Sequence, residues 1–231
     1  MQIDKDTQDL IDERIKNSAP PLESFTPQEL RALRAKMAET PEELKVDISH
    51  VEDFTLKGSL GPITVRKYFN EPKNIPIKQK SPLIIYFHGG GFVMGDLESH
   101  DLVCRHLCKQ TKAIVIAIDY KLAPEHKFPA AITDTKDAIT EIINRADEFN
   151  IDQNKVILCG DSAGGALATV GTILSRDKSV PKVHGQILVY PWVDMTMCRR
   201  SMDIDLKGMI LNKKTIEYFA NHYLNSYKDQ V

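Results

Sequence analysis

From Val51 onward apolar positions recur at every second residue, over Val51 to Lys57 and again over Ile63 to Phe69, with Gly58 and the Gly61-Pro62 pair between them. A period of two on either side of turn residues predicts an antiparallel hairpin. After a proline- and lysine-rich connection, Glu71 to Pro82, the pattern changes to short continuous apolar runs: Leu83 to Phe87, Ala113 to Ile118, Val156 to Cys159 and Gln186 to Tyr190. Longer stretches of helical periodicity separate them, Leu102 to Gln110, Ile132 to Arg145 and Ala163 to Leu174. Strands apolar on both faces, alternating with helices, specify an α/β fold. Its central sheet is mostly parallel, with crossover helices covering both sides.

The N-terminal 45 residues follow a different rhythm. Leu10, Ile11 and Ile15 mark one helical stripe, and Thr26-Pro27-Gln28-Glu29 reads as a capping box with proline at the first helical position. Leu30, Leu33 and Met37 continue the second stripe. Such stripes must pack on something. Residues 1–45 therefore read as a segment apart from a core at 46–231, either a docked extension or a lid over a pocket.

Composition narrows the class. A chain of 231 residues, 42% hydrophobic and 27% charged, can bury a core of its own. A formal net charge of −2 leaves no basic excess for a phosphate backbone or an anionic membrane, so nucleic acid is a disfavoured partner. The apolar runs fall far short of the ~20 residues of a membrane helix. The opening MQIDKDTQDL lacks a signal peptide's basic and then apolar order. No membrane span and a cytoplasmic location are the expectation. Cys104, Cys108, Cys159 and Cys198 are irregularly spaced, which suits reduced thiols better than a disulfide framework. His100, Cys104 and Cys108 stand at four-residue intervals, but that spacing differs from those of structural zinc sites. No metal and no organic cofactor are expected.

In a parallel α/β sheet the chemistry lies in loops beyond the carboxyl ends of the strands. Two such loops are unusual: His88-Gly89-Gly90-Gly91-Phe92 and Gly160-Asp161-Ser162-Ala163-Gly164-Gly165. The second is a G-x-S-x-G turn with a strand before it and a helix after it. A corner that tight excludes a β-carbon at Gly160 and Gly164 and lifts the hydroxyl of Ser162 clear of the backbone, making it a candidate nucleophile. The glycine run can aim amides at the same pocket, so Gly90, Gly91 and Ala163 are candidate oxyanion donors. A phosphate cradle is the weaker reading, because neither a following Lys-Ser/Thr nor a G-x-G-x-x-G pattern is present.

With Asp119 to His126, Phe128 to Ala131 and Tyr190 to Asp194, these blocks resemble the hormone-sensitive-lipase-like (GDXG) branch of the α/β-hydrolases, which contains many bacterial carboxylesterases. The resemblance implies an α/β-hydrolase fold and attack by Ser162 on an ester carbonyl. It also implies an oxyanion hole of Gly90, Gly91 and Ala163, and N-terminal helices that belong to a cap over the acyl pocket. His88, Gly89 and Asp161 become motif supports, His88 shaping the glycine loop and not acting as base. Glu125 and His126 become hydrogen-bonded supports. Phe92, Tyr190 and Trp192 are offered as pocket walls, with core packing the equal alternative for each.

The family's triad continues from Ser to Asp to His on loops after two further strands. No strand pattern follows Tyr190, so the last strands, the acid and the base are expected to be missing from this sequence. His184 precedes its strand and lies at the wrong edge of the sheet. His222 and His126 are the remaining candidate bases, and Asp194 is a candidate acid one strand early. The last strand should present an unpaired apolar edge, covered by a missing piece or by a second copy in a homodimer. The leading reading is a serine carboxylesterase of small to medium acyl esters. The alternative is a non-catalytic or truncated relative that binds a small molecule in the same pocket. An amidase or a transferase using the same serine is a third.

Overall fold

The computed structural model describes residues 3–18, 20–37, 44–70, 80–204 and 208–230. Six strands form one sheet: β1 (His50–Leu56), β2 (Ile63–Phe69), β3 (Ser81–Phe87), β4 (Ile114–Asp119), β5 (Ile151–Asp161) and β6 (Gly185–Val189). Their order is β1-β2-β4-β3-β5-β6. β1 pairs antiparallel with β2, and β2 antiparallel with β4; every pair from β4 through β3 and β5 to β6 is parallel. The hairpin and the parallel core fall where the periodicities place them. The expected connection from Glu71 onward lies outside the described residues through position 79.

Alternation along β3 explains the layering. Leu83, Ile85 and Phe87 point into one buried cluster with Ile114, Ile116, Val156 and Leu158, while Ile84 and Tyr86 point into another with Val115 and Cys159. Helices α4 (Ala130–Asn144) and α5 (Ala163–Arg176) supply Ile139, Ile142 and Leu167 to the first cluster; α3 (Asp101–Thr111) supplies Cys104 and Cys108 to the second. These thiols are therefore core side chains. A β-carbon on Gly171 would stand 2.6 Å from Leu158 Cδ1 and 2.7 Å from Ile139 Cδ1, so the small residues of α5 let it lie close to the sheet. β5 begins earlier than its apolar run because Ser81 pairs with Ile151 across a register shift. Chain order reverses at β3, which has β4 on one side and β5 on the other. The crevice at such a switch point opens beyond the carboxyl ends of β3 and β5, where the two unusual loops lie.

At the N-terminus, α1 (Lys5–Lys16) starts on Asp4, whose carboxylate accepts from the Thr7 amide. α2 (Pro27–Met37) has the expected box: the Thr26 amide donates to Glu29 Oε2 at 2.8 Å, and the Glu29 amide to Thr26 Oγ1 at 3.3 Å. The apolar stripes are only half covered, a correction to the sequence pattern. Ile11 and Leu30 are buried, whereas Leu10 is 64% and Leu33 38% exposed. The reason is that a third, distant segment does the covering. α6 (Lys213–Tyr223) packs against residues 22–24, with the Thr215 hydroxyl donating to Glu23 Oε2 at 2.6 Å, and Gly208 lies against Ile11 and Ile15. No helix among the described residues is long and apolar enough to cross a membrane.

β6 is the outer strand of the described sheet and leaves Ile187 42% and Val189 39% exposed. An open apolar edge invites strand pairing between molecules. Sedimentation velocity on the 231-residue chain should show concentration-dependent association that Val189→Lys reduces. A chain that stays monomeric at every concentration would count against this.

Candidate active site

β5 turns into α5 through a single corner residue, Ser162, at φ 51° and ψ −117°. A non-glycine residue held there is strained, and its neighbours show what imposes the strain. A β-carbon on Gly160 would meet the Phe87 carbonyl oxygen at 2.7 Å; one on Gly164 would overlap that same carbonyl. One on Gly165 would press on Pro191 Cβ at 2.8 Å. The Ser162 amide donates to the Val189 carbonyl at 2.9 Å, and the Ser162 carbonyl accepts from the Trp192 amide at 3.0 Å. The corner is thus clamped between the ends of β3 and β6. Among the described residues the Ser162 hydroxyl has no protein hydrogen-bond partner.

Asp161 ties this corner to the glycine loop. Its Oδ1 accepts from the Gly89 amide at 2.9 Å and the Tyr86 hydroxyl at 2.7 Å, and His100 Nε2 stands 3.5 Å away. Burial pushes the carboxyl up, but His100, Tyr86 and the Gly89 amide together outweigh it and hold the pKa below the usual carboxylate value. Gly89 has no room for a side chain, since a β-carbon would overlap Asp161 Oδ2. Gly90 and Gly91 follow at φ 123° and 62°, and Phe92 at 62°. The Val93 and Met94 amides close back on the Gly90 carbonyl at 3.1 and 3.0 Å. Among the described residues the amides of Gly90, Gly91 and Ala163 donate to no protein acceptor. Ala163 opens α5, where an N–H has no partner within its own helix.

Asp161→Asn keeps the shape of this junction and removes its charge. It is expected to cost about 1–3 kcal/mol at pH 7, the range for hydrogen bonds to a charged group. The folded pKa is depressed, so the carboxylate's extra stability is full above its unfolded value of about 3.9 and is lost as pH falls through the lower folded value. Urea unfolding at pH 7 and pH 3 should show the gap between the two proteins narrowing in acid. A gap independent of pH would overturn this account.

His88 lies beneath the loop. It stacks on Tyr120 with ring centroids 4.3 Å apart, and its Nδ1 donates to the Gly89 carbonyl at 2.8 Å. Burial, with His100 nearby, pushes its pKa down to about 4, so it is neutral at pH 7. Arg31 of α2 reaches the same loop from the other side. Its Nε donates to the Val93 carbonyl at 2.8 Å, and its Nη2 to the Ala123 carbonyl at 2.7 Å. Its two terminal nitrogens also bind Glu125 at 2.9 and 2.7 Å, which holds that carboxyl down at about 2. Nothing in local sequence pattern marks Arg31 for this, because its partners lie far along the chain.

The remaining candidates are engaged elsewhere. His184 accepts from the Val156 amide at the amino-terminal side of the sheet. His222 Nδ1 donates to the Tyr218 carbonyl at 2.8 Å within α6, and His126 is exposed. Asp194 accepts from the Thr196 hydroxyl and amide and from Arg199, which hold its pKa down at about 2. Among the described residues no histidine hydrogen-bonds to Ser162 or to Asp194. Of the three aromatic side chains offered as pocket walls, Phe92 sits in the core, 2% exposed and stacked on Tyr223 at 4.0 Å. It stands at positive φ, and its ring lies between Tyr223 and Trp192. Trp192 is half-buried beside it, and Tyr190 is 75% exposed.

The chain is similar in sequence and fold to known proteins. A family model described as the alpha/beta hydrolase fold matches residues 84–231. The chain is 36% identical over 194 residues to esterase LipI and 38% identical over 200 residues to carboxylic ester hydrolase LipN, both of Mycobacterium tuberculosis. Each match takes in 84% of this chain, which spans 60% of the length of the first and 52% of the second. Among solved structures, a hyperthermophilic esterase from the archaeon Pyrobaculum calidifontis superposes with a TM-score of 0.89 at 32% identity, covering 100% of this chain and 73% of that one. The glycine loop, the strained serine corner and these relatives together place the chain in the hormone-sensitive-lipase-like branch of the α/β-hydrolase family.

Proposed function

We propose that this chain carries the nucleophile and the oxyanion hole of a serine carboxylic-ester hydrolase acting on small to medium acyl esters. The observation that carries the reading is the strained Ser162 corner, joined through Asp161 and the Gly89 amide to a glycine loop whose Gly90 and Gly91 amides donate to no protein acceptor among the described residues. In this reading the Ser162 oxygen attacks the ester carbonyl, and the carbonyl oxygen takes on negative charge as the tetrahedral intermediate forms. The Gly90, Gly91 and Ala163 amides stabilise that charge by hydrogen bonds already oriented before reaction. The alcohol leaves, and water hydrolyses the acyl-serine. In this reading α1 and α2, with α6, form the cap over the acyl side of the site.

A serine hydroxyl needs a base to lose its proton at neutral pH. The absence of a histidine partner for Ser162 among the described residues favours a second reading, a module that binds a small acyl compound without turning it over. Hydrolysis of p-nitrophenyl acetate and butyrate, with mass mapping of a fluorophosphonate adduct, separates the two. Turnover and an adduct on the Ser162 peptide support the hydrolase. Saturable binding of the ester without product or adduct supports the binding module.

A further inference from the structure

We propose that Arg31 is a positioning residue: its guanidinium carries a clamp from α2 that holds the oxyanion loop in shape. The inference rests on the ester-hydrolase reading of that loop for its catalytic consequence, but the clamp itself is a matter of geometry. Phe92 stands at positive φ directly after the two candidate oxyanion glycines, a conformation that its own backbone disfavours. Something outside the loop must over-determine it. The Phe92 carbonyl accepts from the Ala123 amide at 2.8 Å, and the Ala123 carbonyl accepts from Arg31 Nη2 at 2.7 Å. The next carbonyl of the loop, Val93, accepts from Arg31 Nε at 2.8 Å. One planar group therefore closes a ring from Phe92 through Ala123 and back to Val93.

Val93 and Ala123 are fully buried, and among the described residues Arg31 is the sole hydrogen-bond partner of both carbonyls. Glu125 grips the adjacent Nη1–Nη2 edge of the guanidinium with both oxygens and fixes its plane. A lysine at position 31 could serve one of these carbonyls but not the whole fork. Because Arg31 belongs to α2, the clamp also fastens the N-terminal segment to the loop that would hold the transition-state charge. A shift of the loop by a fraction of an ångström would move the amide donors away from the oxyanion with little effect on ground-state binding.

The test compares the unaltered chain with Arg31→Met, Arg31→Lys and, as a control on the exposed face of the same helix, Lys36→Met. Two readouts are taken: the rate of fluorophosphonate labelling of Ser162, with kcat and KM for p-nitrophenyl butyrate, and amide hydrogen exchange over residues 88–95 against α4. Arg31→Met is expected to slow labelling and lower kcat at least about tenfold with KM within about twofold, the signature of lost orientation. Arg31→Lys should recover part of the rate, and Lys36→Met should match the unaltered chain. Exchange should rise over residues 88–95 and stay level in α4. Labelling of Arg31→Met at the unaltered rate overturns the proposal, as does a rise in exchange spread evenly over the chain. If the unaltered chain itself takes no label, the ester-hydrolase reading fails, and exchange alone judges the clamp: a rise confined to residues 88–95 upholds it and no change overturns it.

Discussion

Ser162→Ala is expected to remove the fluorophosphonate adduct and to lower ester turnover by at least about 10³-fold, the scale on which serine hydrolases lose rate when the nucleophile is deleted. The change takes away one oxygen, and that oxygen has no protein partner among the described residues. The bonds that Ser162 itself makes are backbone bonds: Val189 and Trp192 hold its peptide groups, and these remain in the alanine variant. Alanine must also accept φ 51°, as serine already does. Stability should therefore stay within about 0.5 kcal/mol of the unaltered chain, which makes the loss of rate interpretable. Binding of a non-hydrolysable acyl analogue should be unchanged in either reading. Equal turnover in the two proteins would show that Ser162 is not the nucleophile.

The second large effect is on folding. Gly164→Ala places a β-carbon inside the van der Waals radius of the Phe87 carbonyl oxygen, with the His88 carbonyl oxygen at 2.6 Å. Both obstacles are backbone atoms at the end of the central strand, so neither can turn aside as a side chain would. The expected cost is about 3–5 kcal/mol, the upper range for overpacking and strain. Gly171→Ala, two turns further along α5, is the informative contrast. Its new carbon would meet the mobile ends of Leu158 and Ile139, and the better helix propensity of alanine offsets part of the clash. A loss near 1 kcal/mol is expected there. Urea midpoints, with m values compared between the variants, decide the matter. A Gly164→Ala protein within 0.5 kcal/mol of the unaltered one, on the scale of an ordinary surface change, would mean that the elbow is not as tight as described.

Features that depend on neighbours in the chain were legible before any coordinates. The apolar run Leu83 to Phe87 has to lie between two covered faces, and the structure buries all five of its residues. The capping box at Thr26 and Glu29 closes as read, because both partners lie within one turn. The serine corner belongs to the same group. Its G-x-S-x-G spacing is local, and Gly160 is crowded by the Gly164 backbone four residues on, although the carbonyls that crowd Gly164 come from the end of β3. Half of the N-terminal pattern misled, since Leu10 and Leu33 carry helical spacing and remain exposed. Period alone says that a face is apolar. What covers it depends on α6, some two hundred residues away, whose Thr215 reaches Glu23.

The sequence by itself therefore determined the α/β layering, the elbow and the glycine loop, since each is written in contiguous residues as a period or a short motif, even where the atoms that crowd its glycines come from other segments. Only the tertiary structure decided that Asp161 joins the two loops, that Phe92 turns into the core, and that Arg31 reaches Val93 and Ala123 across 62 and 92 residues. Those contacts are hydrogen bonds and ring stacks between segments that meet only after the sheet has assembled. No period along the chain records which buried carbonyl a distant guanidinium will satisfy. The physical requirement that it be satisfied by something is general; the choice of Arg31 is made by the assembled fold, which brings α2 beside the loops that follow β3 and β4.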